Sequence, residues 1–275
     1  MQCTLRIEAM PQDDAPRGGG LASGTLLGAR DPAPVGVHGR SGASPFLLLS
    51  DHAGRAVPSC LGDLGVPASD WDRHIAWDIG MAGMGRLLAE RLDTILIEQV
   101  YSRLVIDCNR APGHPTSVVR VSDGTDVPAN LELDAADIAR REDEIFRPYH
   151  ARIADELAAR HGQSTVVVAL HSFTPEMGGM PRPWHAGVLH NRAPRFGLIV
   201  RSLLEQEGGL LVGDNEPYAL TDGSDYTIPV HAERNGLAYV ELEIRQDLVA
   251  DARGQREWAD RLARVLPQAW ARHTV

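Results

Sequence analysis

After Pro45 the chain alternates between short apolar runs and longer stretches with helical spacing of apolar residues. Phe46–Leu49 reads as a buried strand that closes on Ser50, Asp51, His52, Ala53 and Gly54. Ile75, Ile79, Leu87 and Leu88 recur at helical spacing and predict a helix from Ile75 to Leu92. Thr94–Val100 predicts a strand and Leu104–Ile106 a second, shorter one. Asp134–Arg160 predicts a long amphipathic helix that Pro148 kinks or breaks. "TVVVAL", Thr165–Leu170, is the clearest strand signal. Arg195–Glu207 predicts a helix, Leu210–Val212 a brief strand, and Leu237–Ile244 a strand. Ser224–Asn235 has a serine that could cap a helix, with Pro229 working against it. Ala252–Ala271 predicts a closing helix interrupted near Pro267.

Strands separated by helices predict an α/β fold with a mostly parallel or mixed central sheet flanked by helices. Residues 1 to about 44 are rich in Gly, Pro, Ala and Ser, and the first 25 read as a loosely ordered segment before one domain, 26–275. The sequence shows neither a signal-peptide core nor an apolar run of membrane-spanning length. The expectation is therefore a cytoplasmic protein with no membrane partner. Nothing in the pattern sets an oligomeric state.

Charge narrows the partners. A formal net charge of -10 argues against nucleic acid, which needs a basic face. It leaves room for an anionic small molecule in a local arginine pocket. All 27 basic residues are arginine, which excludes lysine Schiff-base chemistry and a phosphate-loop lysine. Cys3, Cys60 and Cys108 form no Cys-x-x-Cys pair, so neither a thiolate zinc knuckle nor a disulfide framework is expected.

In open α/β sheets, ligands bind beyond the carboxyl ends of the strands. Asp51 and His52 follow the first predicted strand, and His171 and Ser172 follow "TVVVAL". Two histidines at the ends of separate core strands suit a divalent metal site, for which zinc uses three protein ligands. Asp51, Asp72, His74 and Asp78 are all available as the third. In "SRLVIDCNR", Arg103 and Arg110 bracket an apolar triplet and can grip a carboxylate, or simply pair with Asp107. Glu243 lies inside an apolar strand with Arg245 two positions on, so the two share a face. Glu243 is then either a general base beside an activated water or half of a surface ion pair with Arg245. "ARREDEI" reads as a solvated helix face and "GMAGMG" as close packing rather than a phosphate loop. The same residues also fit a non-catalytic protein holding an acidic ligand between Arg103 and Arg110.

"SDHAGRAVP", "HIAWDIG", "YSRLVIDCNR", "LHSFTP", "NEPY" and "EIRQDL", in this order along the chain, resemble the N-formylglutamate amidohydrolase family. The resemblance covers roughly Asp31 to the C-terminus. It implies one amidohydrolase domain with a zinc carboxypeptidase-like fold and hydrolysis of an N-formyl or other N-acyl amino acid. It implies zinc, or another divalent metal, on His52, Asp78 and His171, with Glu243 as general base. It implies Arg110 with Asn109 as holders of a substrate carboxylate, and Arg103 and Arg245 as secondary anion contacts. One departure stands out. Carboxypeptidase-type sites read His-x-x-Glu, whereas Arg55 lies three positions after His52.

Overall fold

The computed structural model describes residues 24–275. The loose segment expected over 1–25 falls, up to residue 23, outside the described residues. The strands are β1 (Val35–Gly39), β2 (Phe46–Ser50), β3 (Ile95–Gln99), β4 (Val121–Ser122), β5 (Thr125–Asp126), β6 (Val166–Phe173), β7 (Glu176–Met177), β8 (Met180–Pro181), β9 (Ala186–Leu189), β10 (Val212–Asp214) and β11 (Ala238–Arg245). The α-helices are α1 (Met81–Arg91), α2 (Ala135–Arg141), α3 (Arg147–Ala159), α4 (Arg195–Gln206) and α5 (Ala252–His273).

Seven strands form one mixed sheet in the order β1-β3-β2-β6-β11-β9-β10. The central four, β3, β2, β6 and β11, run parallel. β1 and β9 join them antiparallel. Parallel strands covered on both faces are apolar nearly throughout, and β2 and β6 are buried at every position. The even-numbered side chains Leu48, Val168, Leu170, Leu242 and Ile244 pack under α1, α4 and α5. The odd-numbered ones, Leu47, Leu49, Val167, Ala169 and Tyr239, face Ile153 and Tyr149 of α3. A fully buried leucine or valine stabilises by roughly 1.5–3 kcal/mol relative to exposure. Polar groups in those rows therefore forgo stability, and the buried titratable ones of β6 and β11, His171, Glu241 and Glu243, all lie in the α3-facing rows toward the carboxyl ends.

Several elements differ from the sequence expectation. The helix expected from Ile75 starts only at Met81. Gly80 sits at φ +85°, and a Cβ there would lie 2.2 Å from the Val249 carbonyl, so the chain cannot enter the helix earlier. Ile75–Ile79 is left as a buried loop that carries Asp78. Leu104–Ile106 is not a strand but a buried turn. Its carbonyls are taken by side chains: Arg141 donates to Val105 O at 2.8 Å, and Asn130 donates to Leu104 O at 2.8 Å. That corrects the reading of "ARREDEI" as a solvated face, since Arg141 is among the largest fully buried side chains. The long helix is divided by a π-helical turn, Glu142–Phe146, and restarts with Pro148 in the first turn of α3, where its missing N–H costs nothing. α5 runs uninterrupted through Pro267. Ser224–Asn235 holds only a π-helical turn and a 3-10 turn. The strand expected at Leu210–Val212 lies at Val212–Asp214, and β1 and β9 are strands that no apolar run predicts. No helix among the described residues is long and apolar enough to cross a membrane.

Candidate active site

His52, Asp78 and His171 meet above the carboxyl ends of β2 and β6. One donor atom from each lies within 4.8 Å of the others, and all three residues are buried. The backbone fixes this meeting. His52 leaves β2 on the small residues Ala53 and Gly54, and a Cβ at Gly54 would lie 1.9 Å from the Val100 carbonyl. Only a glycine lets this loop close on the loop after β3, where Ala56 N donates to Val100 O at 3.1 Å. Asp78 N in turn donates to the His52 carbonyl at 2.8 Å, hanging the "WDIG" loop on the first histidine. His171 stands near the carboxyl end of β6, after the apolar run Val166–Leu170.

Both imidazoles are oriented the same way. His52 Nε2 is 2.7 Å from Asp107 Oδ1, and His171 Nε2 is 3.3 Å from Asp51 Oδ2. Each Nε2–H therefore faces a buried carboxylate, and each Nδ1 faces Asp78. His171 Nδ1 is 2.9 Å and His52 Nδ1 3.5 Å from Asp78 Oδ2. His52 Nδ1 is buried without a hydrogen-bond partner among the described residues. Carboxylate-backed histidines are the arrangement that fixes tautomer and raises basicity in metal sites. Two imidazole nitrogens and a carboxylate oxygen, one nitrogen unsatisfied, fit a divalent cation of the zinc type. Asp51 is further held by Thr227, whose hydroxyl donates to Oδ1 at 2.7 Å.

The electrostatics agree. Burial raises a carboxylate's pKa, yet the charge on His52 and the hydrogen bond from His171 hold Asp78 well below the usual range. Burial is likewise outweighed at Asp51, which is held down to about 2 by the adjacent His171, the charge on His52 and the hydrogen bond from Thr227. Conversely, burial works against the charged form of His171, but Asp51 and Asp78 hold it well above the usual imidazole range. The cluster is thus built to favour positive charge between these side chains.

Arg103, expected as an anion contact, is committed to the protein. Its NH2 donates to Asp107 Oδ2 at 2.7 Å, and its NH1 lies 3.4 Å from Asp78 Oδ1. It braces both Asp78 and the carboxylate behind His52. Asn109 is also spent: Oδ1 accepts from the Tyr226 and Thr227 amides, and Nδ2 donates to Asp225. Arg110 bonds the Asn109 carbonyl at 3.0 Å and lies 3.9 Å from Asp225. Its remaining N–H groups are free to face the cavity. Arg245 is elsewhere, paired with Asp247 at 2.8 Å and absent from the cavity wall. That also removes the surface ion pair with Glu243.

Glu243 lines the same cavity as the cluster, and its Oε2 is buried without a partner among the described residues. Burial pushes its carboxyl up to about 7, with Asp78 adding to the rise and His171 and Arg103 opposing it. The cavity encloses about 300 Å³, and its wall also includes His74, Phe173, Leu189, Tyr218, Asp225 and Glu241. Tyr218 comes from the "NEPY" segment and accepts from Arg182 at 2.8 Å. Sequence reasoning did not single out Asp107 and Asp51 as supports behind the histidines. The available signal was a carboxylate adjoining a strand-end histidine and another inside an arginine-flanked turn.

Comparison with known proteins places these observations. Residues 44–250 match the family model described as N-formylglutamate amidohydrolase. The structure is similar to a gene product of Agrobacterium tumefaciens, with a TM-score of 0.88 and 34% identity over 91% of this chain and 100% of that one. It is also similar in fold to an N-formylglutamate amidohydrolase from Ralstonia eutropha, with a TM-score of 0.61 and 20% identity over 89% and 100% of the two chains. No curated protein matches the sequence.

Proposed function

The chain belongs to the N-formylglutamate amidohydrolase family, and from that premise we propose that it cleaves the amide of an N-formyl or other small N-acyl amino acid using a divalent metal, zinc by the chemistry of the donors. The observation that carries this reading is one cavity wall holding both the His52–Asp78–His171 cluster and the unpartnered carboxyl of Glu243. His52 Nδ1, His171 Nδ1 and an oxygen of Asp78 are the donors. An ion held there supplies a Lewis acid that polarises the amide carbonyl and brings the pKa of water toward neutrality.

The chain's own groups do the rest. Glu243, poised at about 7 by burial, takes a proton from the attacking water. The water oxygen bonds to the acyl carbon, the C–N bond breaks, and Glu243 returns the proton to the leaving nitrogen. The products are a free amino acid and formate or another carboxylate. Arg110 binds the amino acid's carboxylate with its free N–H groups, as a guanidinium fork does. Arg103 keeps Asp78 and Asp107 in place, and Asn109 fixes the 225–227 segment. A cavity of about 300 Å³ sits at the small end of ligand sites, which favours a single acyl amino acid over a peptide.

The test is formate release from N-formyl amino acids by zinc-loaded protein, wild type beside Glu243→Gln. The expected result is turnover in wild type and a loss of about 10²–10⁴-fold in kcat for the variant, with metal content unchanged. Near wild-type turnover in Glu243→Gln would remove its role as base.

A further inference from the structure

The segment Asn215–Tyr218 is seated beside Glu243. Asn215 N donates to the Val188 carbonyl at 3.0 Å and its Oδ1 accepts from His190 N at 2.9 Å, which folds the chain leaving β10 back onto β9. Gly187 of β9 stands opposite Glu243 of β11 in register. A Cβ on Gly187 would lie 2.1 Å from the Glu216 carbonyl and 3.3 Å from Glu243 Cβ, so only a glycine lets Glu216 settle on the sheet next to Glu243. Tyr218, two residues on, joins the cavity wall there. Burial pushes its phenol above the ordinary value, the charge of Glu243 adds to the rise, and Arg182 and Arg103 oppose it.

The hydroxyl has one direction left. Arg182 Nη1 donates to it at 2.8 Å, and the guanidinium lies over the ring, 4.7 Å from its centroid. A guanidinium has only donors, so the phenol oxygen accepts and its own proton is held for another acceptor. No group among the described residues takes that proton. Most other donors of the wall are committed. Arg103 binds Asp78 and Asp107, and Asn109 binds Asp225. Ser172 donates to the Ile79 carbonyl at 3.0 Å, and Ser224 to Asp225 at 2.7 Å.

We propose that Tyr218 is a further catalytic residue, which donates its O–H to the acyl oxygen as the attacking water places negative charge there, and that Arg182 is the positioning residue that aims it. The inference rests on the functional reading above. A donor fixed in place beforehand binds the charged acyl oxygen more strongly than the neutral amide carbonyl, and that difference lowers the barrier. No proton leaves Tyr218 in this step. Glu243 still carries the proton from water to the leaving nitrogen. The bond from Arg182 polarises the phenol and makes its O–H the stronger donor.

The experiment measures formate release by zinc-loaded wild type, Tyr218→Phe, Arg182→Met and the double variant. Calorimetry on the same proteins measures binding of an N-phosphono amino acid, whose tetrahedral phosphorus imitates the attacked carbon, and of the product amino acid. Tyr218→Phe should lower kcat by about 100-fold and leave KM within about threefold. It should weaken the phosphono analogue by a similar factor and leave the product amino acid within about twofold. Arg182→Met should cost about tenfold alone and nothing further in the Tyr218→Phe background. A kcat like that of wild type in Tyr218→Phe, a change confined to KM, or equal loss of analogue and product binding would overturn the proposal. Additive losses in the double variant would overturn the role given to Arg182. If wild type releases no formate from any N-formyl amino acid, the functional reading itself fails and takes this inference with it.

Discussion

His52 Nε2 lies 2.7 Å from Asp107 Oδ1, and that contact turns the other ring nitrogen toward Asp78. The pair predicts a measurable effect of a residue that is not itself one of the three proposed metal donors. Asp107→Asn keeps an acceptor for His52 but loses the charge and the ion pair with Arg103. Zinc affinity should fall by about 10–100-fold, the usual cost of removing a carboxylate behind a ligating histidine. Competition against a chelating dye measures it. Unchanged affinity would mean that Asp107 does not orient His52.

Arg110 is the guanidinium left free on the cavity wall once Arg103 is accounted for. Arg110→Ala should raise KM for N-acyl amino acids by about 100-fold, the 2–3 kcal/mol of a charged hydrogen bond, and leave amidated substrates nearly unaffected. Equal effects on acid and amide substrates would contradict the assignment.

Acid stability has a distinct source on the α3 side of the sheet. His150 Nε2 donates to the Cys108 carbonyl at 2.9 Å, so its Nδ1 accepts from His231 Nε2, also at 2.9 Å. Burial holds His150 down to about 4, and burial with the neighbouring His150 holds His231 down to about 3. Below the ordinary imidazole pKa near 6.5 the unfolded chain takes up protons that the folded chain refuses. Stability present above pH 6.5 is therefore lost as pH falls from 6.5 toward 4, by up to about 1.4 kcal/mol per pH unit for each histidine. His231→Gln keeps a donor to His150 and removes one titrating group. Urea unfolding between pH 4.5 and 6.5 should show a slope smaller by about one proton, and an identical slope would place the acid sensitivity elsewhere.

Much of this arrangement could be read from the chain itself. Phe46–Leu49 and Val166–Leu170 are apolar runs because parallel strands are covered on both faces, and the polar residues that follow them, with Glu241 and Glu243 inside Leu237–Ile244, mark the rim. β1 and β9 escaped notice because each is short, glycine-containing and joined antiparallel at the flank of the parallel core, so neither carries a run. Leu104–Ile106 imitates a strand because a buried turn is as apolar as one. Its hydrogen bonds come from Arg141 and Asn130, distant in sequence, and local pattern holds no trace of them. The same limit applied to the site. Spacing brought His52 and His171 to strand ends, but Arg103 reads equally as ligand anchor or brace until Asp78 and Asp107 are seen on either side. Arg245 shares a strand face with Glu243, yet the strand ends there and Asp247 draws it away.

The most direct measurement is metal content per chain by mass spectrometry after zinc loading, for wild type beside His52→Ala, Asp78→Ala and His171→Ala. The account predicts about one equivalent in wild type and its loss in each variant that circular dichroism shows to be folded. A wild-type chain that stays metal-free, or folded variants that keep their zinc, would contradict it.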